Sequence, residues 1–198
     1  MITGYTAETG RLVAVPEPLG EPERVVWYDL LAPTVREERA VAAATGIEIP
    51  SREEMEEIEE SSRFYTDGEA AFLTATLPAG LELPEGATSA PVTFILSPDR
   101  LVTVRHHAPR PFTTFPTRAE RSASGVGSPD RIFLGLMEEI VARLADILEG
   151  VGKVLDQTGT RVFEDASKIR DVVLRAALIK IGRQSELMAR VRLGLLSV

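Results

Sequence analysis

The 198-residue sequence has no cysteine. That absence excludes disulfides, thiolate zinc sites, iron–sulfur clusters and a cysteine nucleophile, and it permits a reducing compartment. Histidine occurs only as the pair His106-His107, and Trp27 is the sole tryptophan. Long apolar runs are missing too: the longest uncharged stretch, 86–98, ends in proline and falls short of the about 20 residues a bilayer core requires. The first ten residues are polar and carry no apolar segment of signal-peptide type. Neither a phosphate-cradling G-x-x-x-x-G-K-[S/T] run nor a G-x-S-x-G elbow is found. A helix stop is also lacking at the end, because no glycine or proline follows Leu195. The last helix is therefore expected to run on past Val198, as in a piece of a longer protein.

What is present is ordinary folding material. With 44% hydrophobic and 26% charged residues, the chain is long enough to bury about 70% of its unfolded surface. Its net charge of -8 is unevenly spread. Seven glutamates stand against one arginine between Glu48 and Glu60, whereas eight Lys and Arg face four acids from Arg161 to Val198. An acidic body offers no basic footprint for phosphates, so nucleic acid is not expected as a partner.

Periodicity and turn chemistry give the order of elements. Arg11–Val15 and Val25–Leu30 are short β-rich runs separated by prolines. Thr34 with Glu37, and Ser51 with Glu54, are capping boxes that open two helices, the first ending at Gly46 and the second carrying the glutamates. Asp67-Gly68 joins 63–66 to 70–77 as a tight hairpin, and Ser97-Pro98-Asp99-Arg100 joins 92–96 to 101–105. The same tetrapeptide recurs at Ser128–Arg131, where helical periodicity follows, so Ser128 reads as N-cap and Pro129 as N1. The stripe Ile132, Leu136, Ile140, Leu144, Ile147, Val151 and Val154 predicts an amphipathic helix ending near Gly159, with a short link through Phe163. Leu174, Leu178, Ile181, Met188, Val191 and Leu195 give one face of a last helix spanning 168–198. The expected fold is α/β: a mixed sheet sandwiched by helices, followed by long C-terminal helices. The Ser- and Gly-rich stretch 119–127 would divide a body at 1–120 from a helical hairpin at 128–198.

No catalytic constellation emerges. Adjacent histidines at a strand end point to opposite faces and are poorly placed to share one metal. Trp27 sits in an apolar strand and reads as core. On the acidic helix Glu53, Glu56, Glu57 and Glu60 would fall along one side, where like charges three and four apart repel. A solvated acidic face is the plain reading, and hard divalent cations taking oxygen ligands are the alternative.

The order of whole segments resembles the amino-terminal cytoplasmic domain of the CorA family of divalent-cation transporters, with its ZntB zinc-transporter branch. The segments are Trp27-Tyr28-Asp29-Leu30 with Pro33-Thr34, Gly46-Ile47 through Pro50 to Met55, Ser61 to Tyr65, Val92 to Leu96, Leu101 to Arg105, Asp130 to Leu155, Ile181-Gly182-Arg183, and Val191 to Ser197. The resemblance implies no enzyme but the regulatory, funnel-forming part of a transporter or channel for Mg²⁺, Zn²⁺ or Co²⁺. It implies a homopentamer on the cytoplasmic side of the inner membrane, anchored by spans that this sequence lacks, as it lacks the Gly-Met-Asn signature. No organic cofactor is implied. Family regulatory sites use carboxylates between neighbouring domains, so Mg²⁺ or Zn²⁺ becomes a regulatory ligand. The candidates here are Glu53, Glu56, Glu57, Glu60 and, from the loop Pro78–Pro84, Glu82. Two other classes stay open: an adaptor binding another protein's helix through the helical hairpin, and a cytosolic enzyme with both histidines and an acid in one pocket.

Overall fold

The computed structural model describes residues 1–57, 63–80, 87–164 and 171–198. Among these, seven strands form one mixed sheet in the order β2-β1-β3-β7-β6-β5-β4. The strands are β1 (Ile2–Glu8), β2 (Arg11–Val15), β3 (Trp27–Leu31), β4 (Phe64–Asp67), β5 (Ala70–Ala79), β6 (Thr88–Leu96) and β7 (Leu101–Arg105). Only β3 and β7 run parallel, in the register Asp29 to Thr103 and Leu31 to Arg105. The helices are α1 (Val35–Thr45), α2 (Arg52–Glu56), α3 (Pro111–Arg118), α4 (Pro129–Glu164) and α5 (Asp171–Ser197).

The sheet is covered on both faces, as alternation along its strands requires. On one face Tyr28, Leu30, Phe72, Ile95, Val102 and Val104 pack with Val41 of α1 and Met55 of α2. On the other, Trp27, Leu77, Val92, Phe94 and Leu101 pack with Phe112 and Phe115 of α3, the α4 stripe and Val191 of α5. The stripe Ile132, Leu136, Ile140, Leu144, Ile147 and Val151 is buried, as its spacing predicts. Residues 119–127 lie on the body: Val126 is buried, and the Ser122 and Ser124 hydroxyls donate to Glu138.

Local chemistry sets the boundaries. Both capping boxes form, with Thr34 Oγ1 accepting from the Glu37 amide and Ser51 Oγ from the Glu54 amide. Gly46 closes α1 in the left-handed region, φ 72°. Gly68 holds φ 58° in the β4–β5 turn, where a Cβ would be strained.

Two elements are additions to the expected order, β1 and α3, and two expectations need correction, the extent of the acidic helix and the end of α4. The amino terminus forms the interior strand β1 between β2 and β3, because Tyr5 stacks on Trp27 at 4.7 Å and its backbone pairs on both sides. Helix α3 exists in spite of Pro116, anchored by Phe112 and Phe115 and started by Pro111 at N1. The acidic helix stops at Glu56, with Glu57 in extended backbone, so it is a single buried anchor, Met55, between two ends. Helix α4 passes Gly159 and includes Phe163 in its backbone, since none of Gly150, Gly152 and Gly159 adopts the positive φ that ends a helix.

Candidate functional site: the outer face of α5 and its seat on the sheet edge

Helix α5 is seated by the small Ala177 and Gly194 together with Val191 and the partly buried Leu187, and it exposes most of its large residues. Ala177, Val191 and Gly194 are buried against α4 and β5. Leu174, Ile181, Met188 and Leu195 of the predicted stripe are exposed, and Leu178 is 69% accessible. The spacing thus finds the helix but not its buried side, because Ala and Gly allow a closer backbone approach than Leu does. Beside α4 the exposed side opens into a groove of about 560 Å³ lined by Leu148, Met188, Val191, Arg192 and Leu195. Charge divides the pair: α5 carries five Lys and Arg against two acids, whereas α4 carries seven acids against four Lys and Arg.

The seat itself is one edge of β5. Strand β4 pairs only with Ala70–Leu73, which leaves the rest of that edge to be satisfied otherwise. The outward amides alternate. Thr74 donates to the Arg63 carbonyl at 2.7 Å, Thr76 donates to Ser197 Oγ of α5 at 2.9 Å, and the next outward position is Pro78, which has no N–H. A Cβ at Gly194 would stand 3.3 Å from the Thr76 carbonyl oxygen, so glycine permits the approach. Ser197 Oγ in turn donates to the Gly194 carbonyl.

Across β6 from this strand lies a buried polar network, which reaches β5 through His107. Arg105 grips Asp29 with Nε at 3.0 Å from Oδ1 and Nη2 at 2.7 Å from Oδ2, a two-pronged pair taken out of water. Thr103 Oγ1 donates to Asp29 Oδ1, and Trp27 Nε1 donates to Thr103 Oγ1 at 3.0 Å, so the tryptophan is core, as read. The guanidinium lies 4.7 Å over the Phe112 ring, and its Nη1 donates to the His107 carbonyl. His107 Nε2 lies 2.8 Å from the Leu77 carbonyl oxygen on β5. Burial, then the Arg105 and His106 charges, hold the His107 pKa below the ordinary imidazole value, against the opposing pull of the Leu77 bond. Burial, then Asp29, raises the Tyr5 phenol. The network escapes sequence reasoning, although Asp29 and Arg105 within apolar strands are the signal that points to it.

Of the candidate cation ligands, Glu53, Glu56 and Glu57 lie among the described residues, where they are not gathered around one point. Glu56 is engaged by Arg52 Nε at 2.7 Å, Glu53 is exposed near that same arginine, and Glu57 stands beyond the helix end. Glu60 and Glu82 lie outside the described residues. Among the described residues, no three His, Asp or Glu side chains are placed to hold one metal ion, and no helix is long and apolar enough to cross a membrane.

Comparison with known proteins gives consistent results. A family model described as "CorA-like Mg2+ transporter protein" matches residues 22–192. A magnesium transport protein CorA of Haemophilus influenzae is 27% identical over 196 residues, covering 99% of this chain and 61% of that protein. The chain thus spans about three fifths of that relative. Among solved structures, the complete CorA magnesium transporter of Methanocaldococcus jannaschii superposes over 100% of this chain and 60% of that one, with a TM-score of 0.72 at 12% identity. The cytoplasmic domain of ZntB from Vibrio parahaemolyticus superposes over 91% and 72%, with a TM-score of 0.54 at 14% identity. At such identities the likeness of structures is one of fold, and it agrees with the mixed sheet and long helices described above.

Proposed function

The chain belongs to the CorA-like Mg²⁺ transporter family, and from that premise we propose that it is the cytoplasmic regulatory part of a divalent-cation transporter of the inner membrane. Mg²⁺ is the cargo best supported by the matched family and by the magnesium transporters among its relatives; Zn²⁺ or Co²⁺ is the alternative cargo. In this reading membrane spans are supplied outside the 198 residues, and copies assemble as a pentamer. The observation that carries the reading is the exposed apolar face of α5, on a helix whose other side is already seated on the body. Repeated head-to-tail contact through such a face closes a ring when the rotation allows it. Opposite net charges on α4 and α5 favour α4 of one copy beside α5 of the next.

A regulatory cation, Mg²⁺ or Zn²⁺, fits the same scheme. Carboxylates brought face to face between acidic bodies repel unless a hard cation takes their oxygens, so cation concentration biases packing. Glu53, Glu56, Glu57, Glu60 and Glu82 are the candidate ligands across such a boundary. Sedimentation of the chain in MgCl₂ and in NaCl at matched ionic strength tests this, since screening follows ionic strength and ligation follows the ion. Association should be greater in MgCl₂. It should be lost in Leu178→Glu, and in the variant with all five glutamates changed to glutamine. Equal behaviour in the two salts would leave only screening and remove the regulatory cation; association that survives Leu178→Glu would place the contact off α5.

A further inference from the structure

His107 is tied to the strand that seats α5. A carbonyl oxygen only accepts, so the bond to Leu77 puts the ring proton on Nε2 and leaves Nδ1 as a lone pair. That Nδ1 is buried without a hydrogen-bond partner, as is Nε2 of His106. The ring is therefore built to be neutral. A proton on Nδ1 would create a buried cation with no acceptor, beside an arginine that already donates to the His107 carbonyl.

Only the Leu77 carbonyl favours that charge, and burial outweighs it. From its own segment it faces Arg105 and His106, both opposed to a positive charge. Strand β5 presents the Leu77 carbonyl, and α3 presents the Phe112 ring, which is occupied by Arg105. The one carboxylate of the network, Asp29 on β3, is taken up by Arg105 and Thr103. Leu77 is meanwhile the neighbour of Thr76, whose amide holds Ser197, and the Leu77 side chain shares its cluster with Val191 of α5.

We propose that this arrangement is a proton-sensitive latch: neutral His107 holds the end of β5 in the position that seats α5, and a protonated His107 leaves Leu77 and loosens the seat. The sign follows from linkage. A histidine that is neutral and buried when seated contributes stability present above the ordinary imidazole pKa of about 6.5 and lost as pH falls below it. The latch lies within one chain and does not depend on what covers the outer face of α5, nor on any cation.

Nuclear magnetic resonance of the chain tests it through two signals, the His107 ring titration and the exchange protection of the Thr76 amide. Protection is taken relative to an unstructured amide, so that base catalysis cancels. Thr76 protection should fall about tenfold between pH 7.5 and pH 5.5, a coupling within the usual allosteric range. His107→Gln keeps a side-chain N–H for Leu77 but does not titrate, so it should abolish the fall, while His106→Gln should preserve it. Reciprocity supplies the second arm: Ser197→Ala, which weakens the seat, should raise the His107 pKa. A fall that persists in His107→Gln would overturn the latch. So would a His107 pKa equal in the wild-type chain and Ser197→Ala, and this comparison decides the matter if His107→Gln fails to fold.

Discussion

Helices α4 and α5 have similar apolar content, yet they sit in the protein in opposite ways. In α4 the large residues Ile132, Leu136, Ile140 and Leu144 face the sheet and are buried. In α5 the buried residues are Ala177, Val191 and Gly194, with Leu187 packed partly against the core, while Leu174, Leu178, Leu193, Leu195 and Leu196 face out. Periodicity records that a helix has a face, while the side-chain sizes at its contacts decide which side lies close to its own body. An apolar face left outward on a folded chain belongs to contacts the chain makes with something else.

The contrast breaks most sharply with truncations. Leu144→Ala should cost about 2–5 kcal/mol by removing buried methyl groups and leaving a cavity. Leu178→Ala should stay within about 0.5 kcal/mol under conditions where the chain does not associate. Urea denaturation of both reads the difference, and equal losses would mean that α5 is covered within its own chain. Glycines sharpen the comparison next. A Cβ at Gly135 of α4 would stand 2.7 Å from Phe115 and from Ser122 Oγ, so Gly135→Ala should cost about 1–3 kcal/mol through overpacking. Gly182 of α5 has nothing within 4 Å of such an atom, and Gly182→Ala should raise stability by about 0.5–1 kcal/mol on helix propensity alone. Thermal melts giving the same sign for both would erase the distinction between a packed and an open helix. A last effect lies away from the pair: Gly68→Val should cost about 1–2 kcal/mol for φ 58° in the β4–β5 turn, and an unchanged denaturation midpoint would move the turn.

What could be read from the sequence was local. The capping boxes, the Asp67-Gly68 turn and both uses of Ser-Pro-Asp-Arg depend on residues within four positions, and each forms. In the first use Ser97 Oγ accepts from the Arg100 amide; in the second Pro129 opens α4. What could not be read depends on distant partners. Strand β1 is specified by pairing with β2 and β3, and α3 by two phenylalanines that reach a core built from other elements. The Asp29–Arg105 pair spans 76 positions, and the Thr76–Ser197 bond spans 121. The resemblance to a family carried the functional reading further than any single residue did, because among the described residues the His, Asp and Glu side chains are not gathered around one point.

The outward edge of β5 has a consequence for how this protein stays dispersed in solution. Its strand, Ala70–Ala79, is rich in Ala, Thr and Leu and carries no charge, the composition that recruits foreign strands and nucleates aggregates when its amides are free. Three devices deny it that opportunity: the Arg63 carbonyl, the Ser197 hydroxyl and the missing N–H of Pro78. One of the three sits in the final turn of α5. Protection of this strand edge against foreign strands thus rests in part on Ser197, a residue far from β5 in sequence.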